Sequence, residues 1–430
     1  MPDPTPTPAP PPEPPPAPTP PARHDPYASL RHRNFRWFIV STFTVTMGTQ
    51  IQGIVVGWQI YSITHDPLSL GLIGLAEALP FLSTSLPAGH AADRYDRRFI
   101  TLASLFAMLA CSVSFVAFSR SPRILALPGA WPFFAVIFAS GIARAFYNPA
   151  RSALLAEIVP RSAYANASAW RSSAWQTAAV MGPAVGGLLY GIGDATTAYV
   201  TDAVFMLVAT SAFAAIRYVP TVARRHHEPL WQSLRMGIHW VIHQPVVFGA
   251  LTLDLFSVLL GGAEALLPVF ALDILHVGPE GLGILRAAPA LGAVIMSVYL
   301  AHRQPLERAG RAMLIAVGAF AASIIGFGLS RSAELSFVLL AVSGMADNVS
   351  VVVRATLIQI MSPPEMLGRV SAVNAIFIGS SNELGAFESG ITAKLLGAVP
   401  AVIAGGVASL GVVGIVARTI PKLRQLGRLE

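Results

Sequence analysis

Residues 140–169 read SGIARAFYNPARSALLAEIVPRSAYANASA, and residues 343–372 read SGMADNVSVVVRATLIQIMSPPEMLGRVSA. One ungapped offset of 203 positions pairs Ser140 with Ser343, Gly141 with Gly344, Arg151 with Arg354, Leu154 with Leu357, Pro160 with Pro363 and Ser168 with Ser371. The same offset runs on to Gly182/Gly385 and Gly187/Gly390. Small residues coincide often by chance, but an arginine, a proline and three glycines in one register read as a duplication. The chain is therefore expected to be two copies of one unit.

What that unit is made of follows from composition. The chain is 54% hydrophobic and only 12% charged, with a mean hydropathy of +0.60. About a quarter of the residues in a soluble domain are charged, so this chain lacks the charge to cover itself against water. Its apolar stretches recur at spanning length, about 20 residues each, and lack the alternation of a membrane strand. They read as twelve helices near 35–62, 68–88, 99–119, 131–154, 165–191, 196–218, 245–271, 280–301, 312–331, 334–357, 368–395 and 398–418. The expected fold is an all-α membrane protein, two six-helix pseudo-symmetric bundles joined in one chain.

The domain plan follows. Residues 1–28 open with a proline-rich run that cannot form a core and read as a disordered cytoplasmic tail, not a signal peptide. Residues 29–218 form the first bundle and 245–420 the second. The linker 219–244 holds Leu230, Leu234, Ile238 and Val241 at helical spacing, an amphipathic helix at the membrane surface. Residues 421–430 are a short cytoplasmic tail. One cysteine, Cys111, excludes an internal disulfide. The net charge of +7 does not point to nucleic acid, because the positive residues sit in short loops.

With both termini cytoplasmic, all but six of the 29 lysines and arginines fall on the cytoplasmic side; Arg120, Arg123, Arg144, Arg286, Arg331 and Lys394 are the remainder. This bias sets the expected orientation. It makes GHAADRYDRR, residues 89–98, a cytoplasmic turn between spans two and three.

That turn also resembles a family signature. Gly89, Asp93, Arg94, Arg97 and Arg98 match the G-x-L-A-D-R-x-G-R-K loop of the major facilitator superfamily, with Ala91 and Asp96 as departures. Asp96 is a residue that tolerates left-handed backbone. In span five, Gly182, Pro183, Gly186 and Gly187 match the G-P-x-x-G-G pattern of the superfamily's antiporters, and Ala178 stands where that pattern often begins with glycine. The chain resembles this superfamily over roughly 30–420, and most of all the bacterial branch that includes the enterobactin exporter and multidrug effluxers. The R-x-x-Q-G motif of helix four is missing. The resemblance implies alternating access in a cell inner (plasma) membrane, with Asp93 as a latch against the start of helix eleven and Arg369 beside it. It implies transport of a small organic molecule with protons as the coupling ion, no cofactor or metal, and a monomer in the bilayer.

Ionisable residues in mid-span are costly and mark functional positions. The candidates for proton or substrate handling are Glu77, Arg144, Asp254, Asp347, Glu383 and Glu388, with Gln50 and Tyr147 as polar and aromatic cavity groups. Asp202 and Arg286 read as interfacial. The offset equates Arg144 with Asp347, so the two are expected at one depth, with Asp347 or Asp254 as the counter-charge of Arg144. A membrane enzyme is the competing class, but no G-x-S-x-G, H-E-x-x-H or nucleotide-binding G-x-x-x-x-G-K-[ST] occurs. A transport-inactive sensor or scaffold is a third. Within transport, a drug-like cargo and a siderophore or other metabolite both remain open.

Overall fold

The computed structural model describes residues 25–217, 230–303, 307–363 and 365–427; within the second membrane helix the side chains of Ser85, Leu86, His90 and Asp93 are outside the described set. The described residues hold twelve long membrane helices: α1 Arg33–Thr64, α2 Pro67–Arg94, α3 Arg97–Ser119, α4 Trp131–Ile158, α5 Tyr164–Ile192, α6 Ala195–Ala214, α7 Pro245–Leu260 with its continuation to Ile274, α8 Gly278–Ala301, α9 Ala309–Leu329, α10 Ala333–Met361, α11 Leu367–Leu396 and α12 Ala398–Thr419. Ten are apolar enough throughout to cross a membrane on composition alone. The other two, α5 and α11, are 29 and 30 residues long. At 1.5 Å per residue each exceeds the roughly 30 Å hydrocarbon core. Their lower hydropathy comes from groups such as Arg171, Glu383 and Glu388, and both lie at the seam between the halves.

Short polar turns set the helix starts. The Asp66 side chain accepts from the Leu68 N–H at 3.0 Å and Pro67 opens α2. Asp194 accepts from the Thr197 N–H at 2.7 Å before α6, and Ser332 caps α10 from Leu335 N–H at 3.3 Å. Such caps satisfy amide groups that would otherwise be orphaned at the end of a helix. Asp96 does the same for α3, accepting from Arg98 N–H at 2.8 Å with φ −60°. It is a helix cap in extended backbone, not the left-handed turn residue that the sequence suggested.

Packing repeats with the sequence. In the first half α1 packs on α5 and α6, α2 on α4, and α3 on α4 and α6; in the second half α7 packs on α11 and α12, α8 on α10, and α9 on α10 and α12. Adding six to each helix number converts one set into the other. The halves meet through α2 on α11 and α5 on α8. Both seams are glycine crossings. A Cβ at Gly71 would lie 3.0 Å from Gly390 Cα, and one at Gly187 would lie 2.8 Å from Gly283 Cα. Missing side chains let backbones approach this closely. Gly187, read from sequence as an antiporter-motif residue, is one of these contact points.

α7 departs from a plain helix. It stops at Leu260, breaks at Gly261–Gly262, and resumes through a 3₁₀ turn into Leu267–Val269 and a π-turn at Phe270–Ile274. Pro268, which lacks an N–H, stands at the restart. The linker helix Leu230–His243 lies on α11. Val241 is buried with Val247, Ile358 and Val370, while Ile238 and Ile242 stay exposed. Residues just before α1 lie on α5, where Asn166 Nδ2 and Trp170 Nε1 donate to the Pro26 carbonyl at 2.8 and 3.0 Å.

A buried ion pair ties the second half together. Arg354 on α10 bridges Asp254 on α7, and both side chains are under a tenth exposed. Removing one member of such a pair strands the other charge and costs about 3–5 kcal/mol. Asp254→Ala should therefore lower the unfolding temperature sharply in a detergent thermal-shift measurement. Asp254→Leu combined with Arg354→Met should restore most of the loss. Equal instability of the single and double variants would rule out charge burial as the cause.

Candidate functional site

Two glycines build a charged centre. Gly141 on α4 takes Pro80 of α2 against it, where a Cβ would sit 2.6 Å from Pro80 Cγ. Gly74 on α2 meets α11, where a Cβ would lie 2.6 Å from Ala386 Cβ and 2.8 Å from the Glu383 carbonyl oxygen. One helical turn from these contacts stand Glu77, Arg144 and Glu383, each near the middle of its helix. Arg144 Nη2 lies 2.6 Å from Glu77 Oε1. The Glu383 carboxyl lies close to that of Glu77 and within electrostatic reach of Arg144 and Arg286.

The counter-charge of Arg144 is thus Glu77, and neither Asp347 nor Asp254. Repeat equivalence fixes depth along the membrane normal but not direction around it. Asp347, on α10, faces Glu264 electrostatically and makes no ion pair among the described residues. Glu264, just past the break in α7, holds Arg286 Nη1 at 2.9 Å through its carboxylate and 3.1 Å through its carbonyl. Arg286 is therefore part of the charged centre and not interfacial. Asp202 is not interfacial either: it is fully buried in the first half and accepts from Gln52 Nε2 at 3.1 Å.

The remaining candidates scatter. Glu388 accepts from Thr392 Oγ1 on its own helix at 2.8 Å. Gln50 on α1 packs against Gly182, whose Cβ would meet Gln50 Cβ at 2.5 Å. Gly186 continues that face on Ile51, while Pro183 and Gly187 face α8 at Gly283. Tyr147 is 3% exposed and carries the Arg151 guanidinium 5.0 Å over its ring. In the 89–98 segment, Gly89 and Arg94 belong to the last turns of α2. Arg97 bridges Glu157 of α4 at 2.5 Å, and Arg98 Nη2 donates to the Ala214 carbonyl at 2.8 Å. The Asp93 side chain, the proposed latch, lies outside the described residues. Among the described residues no cluster of three His, Cys, Asp or Glu groups is placed to hold a metal ion.

Sequence reasoning missed one pair of contacts across the halves. At the end of the bundle where α1 passes into α2, Lys394 Nζ donates to Asp66 Oδ2 at 2.7 Å. Beside it the Tyr61 hydroxyl donates to Asp273 in the π-turn of α7. Gly261–Gly262 and Pro268 were the available signal that α7 is irregular here; nothing local marks the partners.

These charged groups, packed at the seam of two like bundles, are a transporter's arrangement. The chain belongs to the transmembrane secretion effector family. The family's model matches residues 24–428, and the family lies within the major facilitator superfamily. This family member is 28% identical over 352 residues to the enterobactin exporter EntS of Escherichia coli O1:K1, covering 80% of this chain and 81% of that one. It is 27% identical over the same length to EntS of Citrobacter koseri. Its fold matches a bacterial homologue of the human lysosomal transporter Spinster, inward-facing and occupied, with a TM-score of 0.70 at 16% identity over 93% of this chain and 99% of that one. It also matches the nucleoside transporter NupG, TM-score 0.71 at 11% identity over 90% and 98%. The chain is thus a multi-pass transporter of the inner membrane with the major facilitator fold.

The Asp66–Lys394 bridge has a definite pH behaviour. The Lys394 ammonium holds the Asp66 carboxyl below its usual range; slight burial opposes this, and the Leu68 N–H and the Lys394 charge add to it. A depressed carboxyl pKa gives a contact present above the ordinary Asp value and lost only as pH falls below it. In a Cys111→Ser background, a reporter cysteine at Ile73 should label equally from about pH 8 to about pH 5, well above the ordinary Asp pKa. Lys394→Glu should raise its labelling at every pH. Faster labelling of the otherwise unchanged protein at pH 5 would show that this bridge senses protons after all.

Proposed function

We propose that this transporter is a secondary active exporter that couples proton entry to the outward movement of a small amphipathic organic molecule. The observation that carries the reading is the Glu77–Arg144–Glu383 cluster across the α2/α11 seam. Rocking of the halves must change the distance from Glu383 to Glu77 and Arg144, because these groups stand on opposite halves. A proton shared by the two carboxyls is held while they meet and is released when they part and Arg144 alone faces Glu77. Cargo binds between the bundles near mid-membrane, as in this architecture generally. Both termini are cytoplasmic, as the arginine bias indicates. The Asp66–Lys394 end then faces outward, and Asp93 serves as the inner latch.

The cargo is drug-like or a siderophore-type metabolite. The second reading is favoured by one observation: the relatives named above are enterobactin exporters that align over four-fifths of this chain. Siderophore secreted by iron-limited cells, with and without the gene, separates the two. An unchanged siderophore titre together with dye efflux supports the drug-like reading, and a fall in titre supports the metabolite.

Glu383→Gln tests the coupling. It should reduce efflux driven by an imposed pH gradient by about tenfold or more, the scale of one lost charge interaction. Cargo-for-cargo exchange across the same membrane should continue. Gradient-driven efflux at the normal rate from a well-folded Glu383→Gln protein would remove Glu383 from the proton path. Tags at residues 1 and 430 should both stay inaccessible from outside intact cells.

A further inference from the structure

Arg144, Tyr147 and Arg151 are spaced i, i+3 and i+7, so they line one face of α4. Seven residues at 1.5 Å each put Arg151 about 10 Å from Arg144 along the helix, toward the Asp93 end. Its guanidinium stacks over the Tyr147 ring. Arg171, on α5, lies within electrostatic reach of Arg151. Each arginine is seven residues inside its helix, about 10 Å along the axis from its end.

Inside a membrane helix an arginine is expensive unless it is paired or faces water. Neither is paired. Among the described residues Arg151 and Arg171 make no ion pair, and the Nε of each is buried without a hydrogen-bond partner. The Tyr147 hydroxyl, on a residue only 3% exposed, also has none. Both arginine side chains are half-buried, and on α5 Ser168, Ser172 and Gln176 form a polar stripe at helical spacing, with Gln176 bonding Ser172 at 3.2 Å. The second half provides a direct contrast. Arg354, the repeat equivalent of Arg151, is neutralised by Asp254 and sealed from solvent. The same ancestral position is closed off in one half and left open in the other.

We infer that Arg151, Arg171 and Tyr147 form a recognition site for an anionic group on the cargo: a carboxylate, sulfonate or ionised phenol carried by an amphipathic organic molecule. This inference rests on the exporter reading. Two guanidinium groups present planar, paired donors to such a group. The buried Tyr147 ring holds Arg151 in place by a cation–π contact. The site lies on the path from the Asp93 end to the charged centre and leaves the carboxyls there to protons. A phosphate headgroup offers the same chemistry to the arginines, so the test includes lipid.

The test is binding, which needs no gradient and is therefore independent of proton coupling. The full-length protein in phosphatidylcholine nanodiscs is titrated with carboxyfluorescein, an amphipathic anion, and with rhodamine 6G, a cation, by fluorescence polarisation. Carboxyfluorescein should bind, and Arg151→Gln/Arg171→Gln should weaken it by about tenfold or more, as expected for losing a charge-assisted contact. Arg151→Lys should recover part of the loss. Glu383→Gln should bind like the unaltered protein, and its folding, with that of the arginine variants, is checked by thermal unfolding. Failure of carboxyfluorescein to bind, or equal binding by a folded Arg151→Gln/Arg171→Gln protein, overturns the inference. So does abolition of binding when phosphatidylglycerol is added, which would assign the arginines to lipid. None of these outcomes bears on gradient-driven efflux in Glu383→Gln, so the two readings fail separately.

Discussion

Two backbone crossings, Gly71 on Gly390 and Gly187 on Gly283, hold the bundles together. Each is a place where any side chain would force the halves apart. Gly187 and Gly390 are repeat equivalents, so the seam is one ancestral contact used twice. The rest of the centre depends on it. Because α2 and α11 touch at Gly71, Glu383 is brought about two turns further on toward Glu77, and because α5 and α8 touch at Gly187, Arg286 is carried into reach of Glu383. The Glu77–Arg144 and Glu264–Arg286 pairs each lie within one bundle; what the seam adds is the approach of Glu383 to the first pair.

The duplication keeps packing and discards charge. Gly141 and Gly344 both accept a neighbouring helix at the same level. Three residues further on, one copy has Arg144 and the other Asp347. The first is paired with a carboxylate from α2. The second faces another carboxylate, that of Glu264, whose own partner is Arg286. Among the described residues Glu77, Glu264, Asp347 and Glu383 share the centre with Arg144 and Arg286. Asp66–Lys394, by contrast, is exposed to solvent and strongly biased to the ionised form. It can act as a closure without responding to mild acid.

The architecture was legible in the sequence because hydrophobic length, arginine bias and one repeat register are all linear signals. The charged residues were also identifiable as unusual. Their partners were not. Glu77 and Arg144 come together because Pro80 seats on Gly141, a packing fact that no local pattern announces. The register that equated Arg144 with Asp347 says nothing of direction around the helix axis, which is why it suggested the wrong counter-charge. Asp202 was misjudged for a related reason: distance from a helix end says how far a group lies along the membrane, not whether neighbouring helices enclose it. Gln52 from α1 and the bare Gly48 close over it.

The halves therefore differ less in shape than in what they do with buried cations. The second half neutralises Arg354 inside its own bundle, fixing α7 to α10 below the break at Gly261–Gly262. This leaves the later segment of α7, with Glu264 and Asp273, attached through Arg286 and Tyr61 and not through a sealed ion pair. The first half pairs Arg144 with Glu77 at the centre and leaves Arg151 and Arg171, toward the Asp93 end, with no ion pair among the described residues. A duplicated scaffold that places equal demands on both copies has no reason to keep this difference.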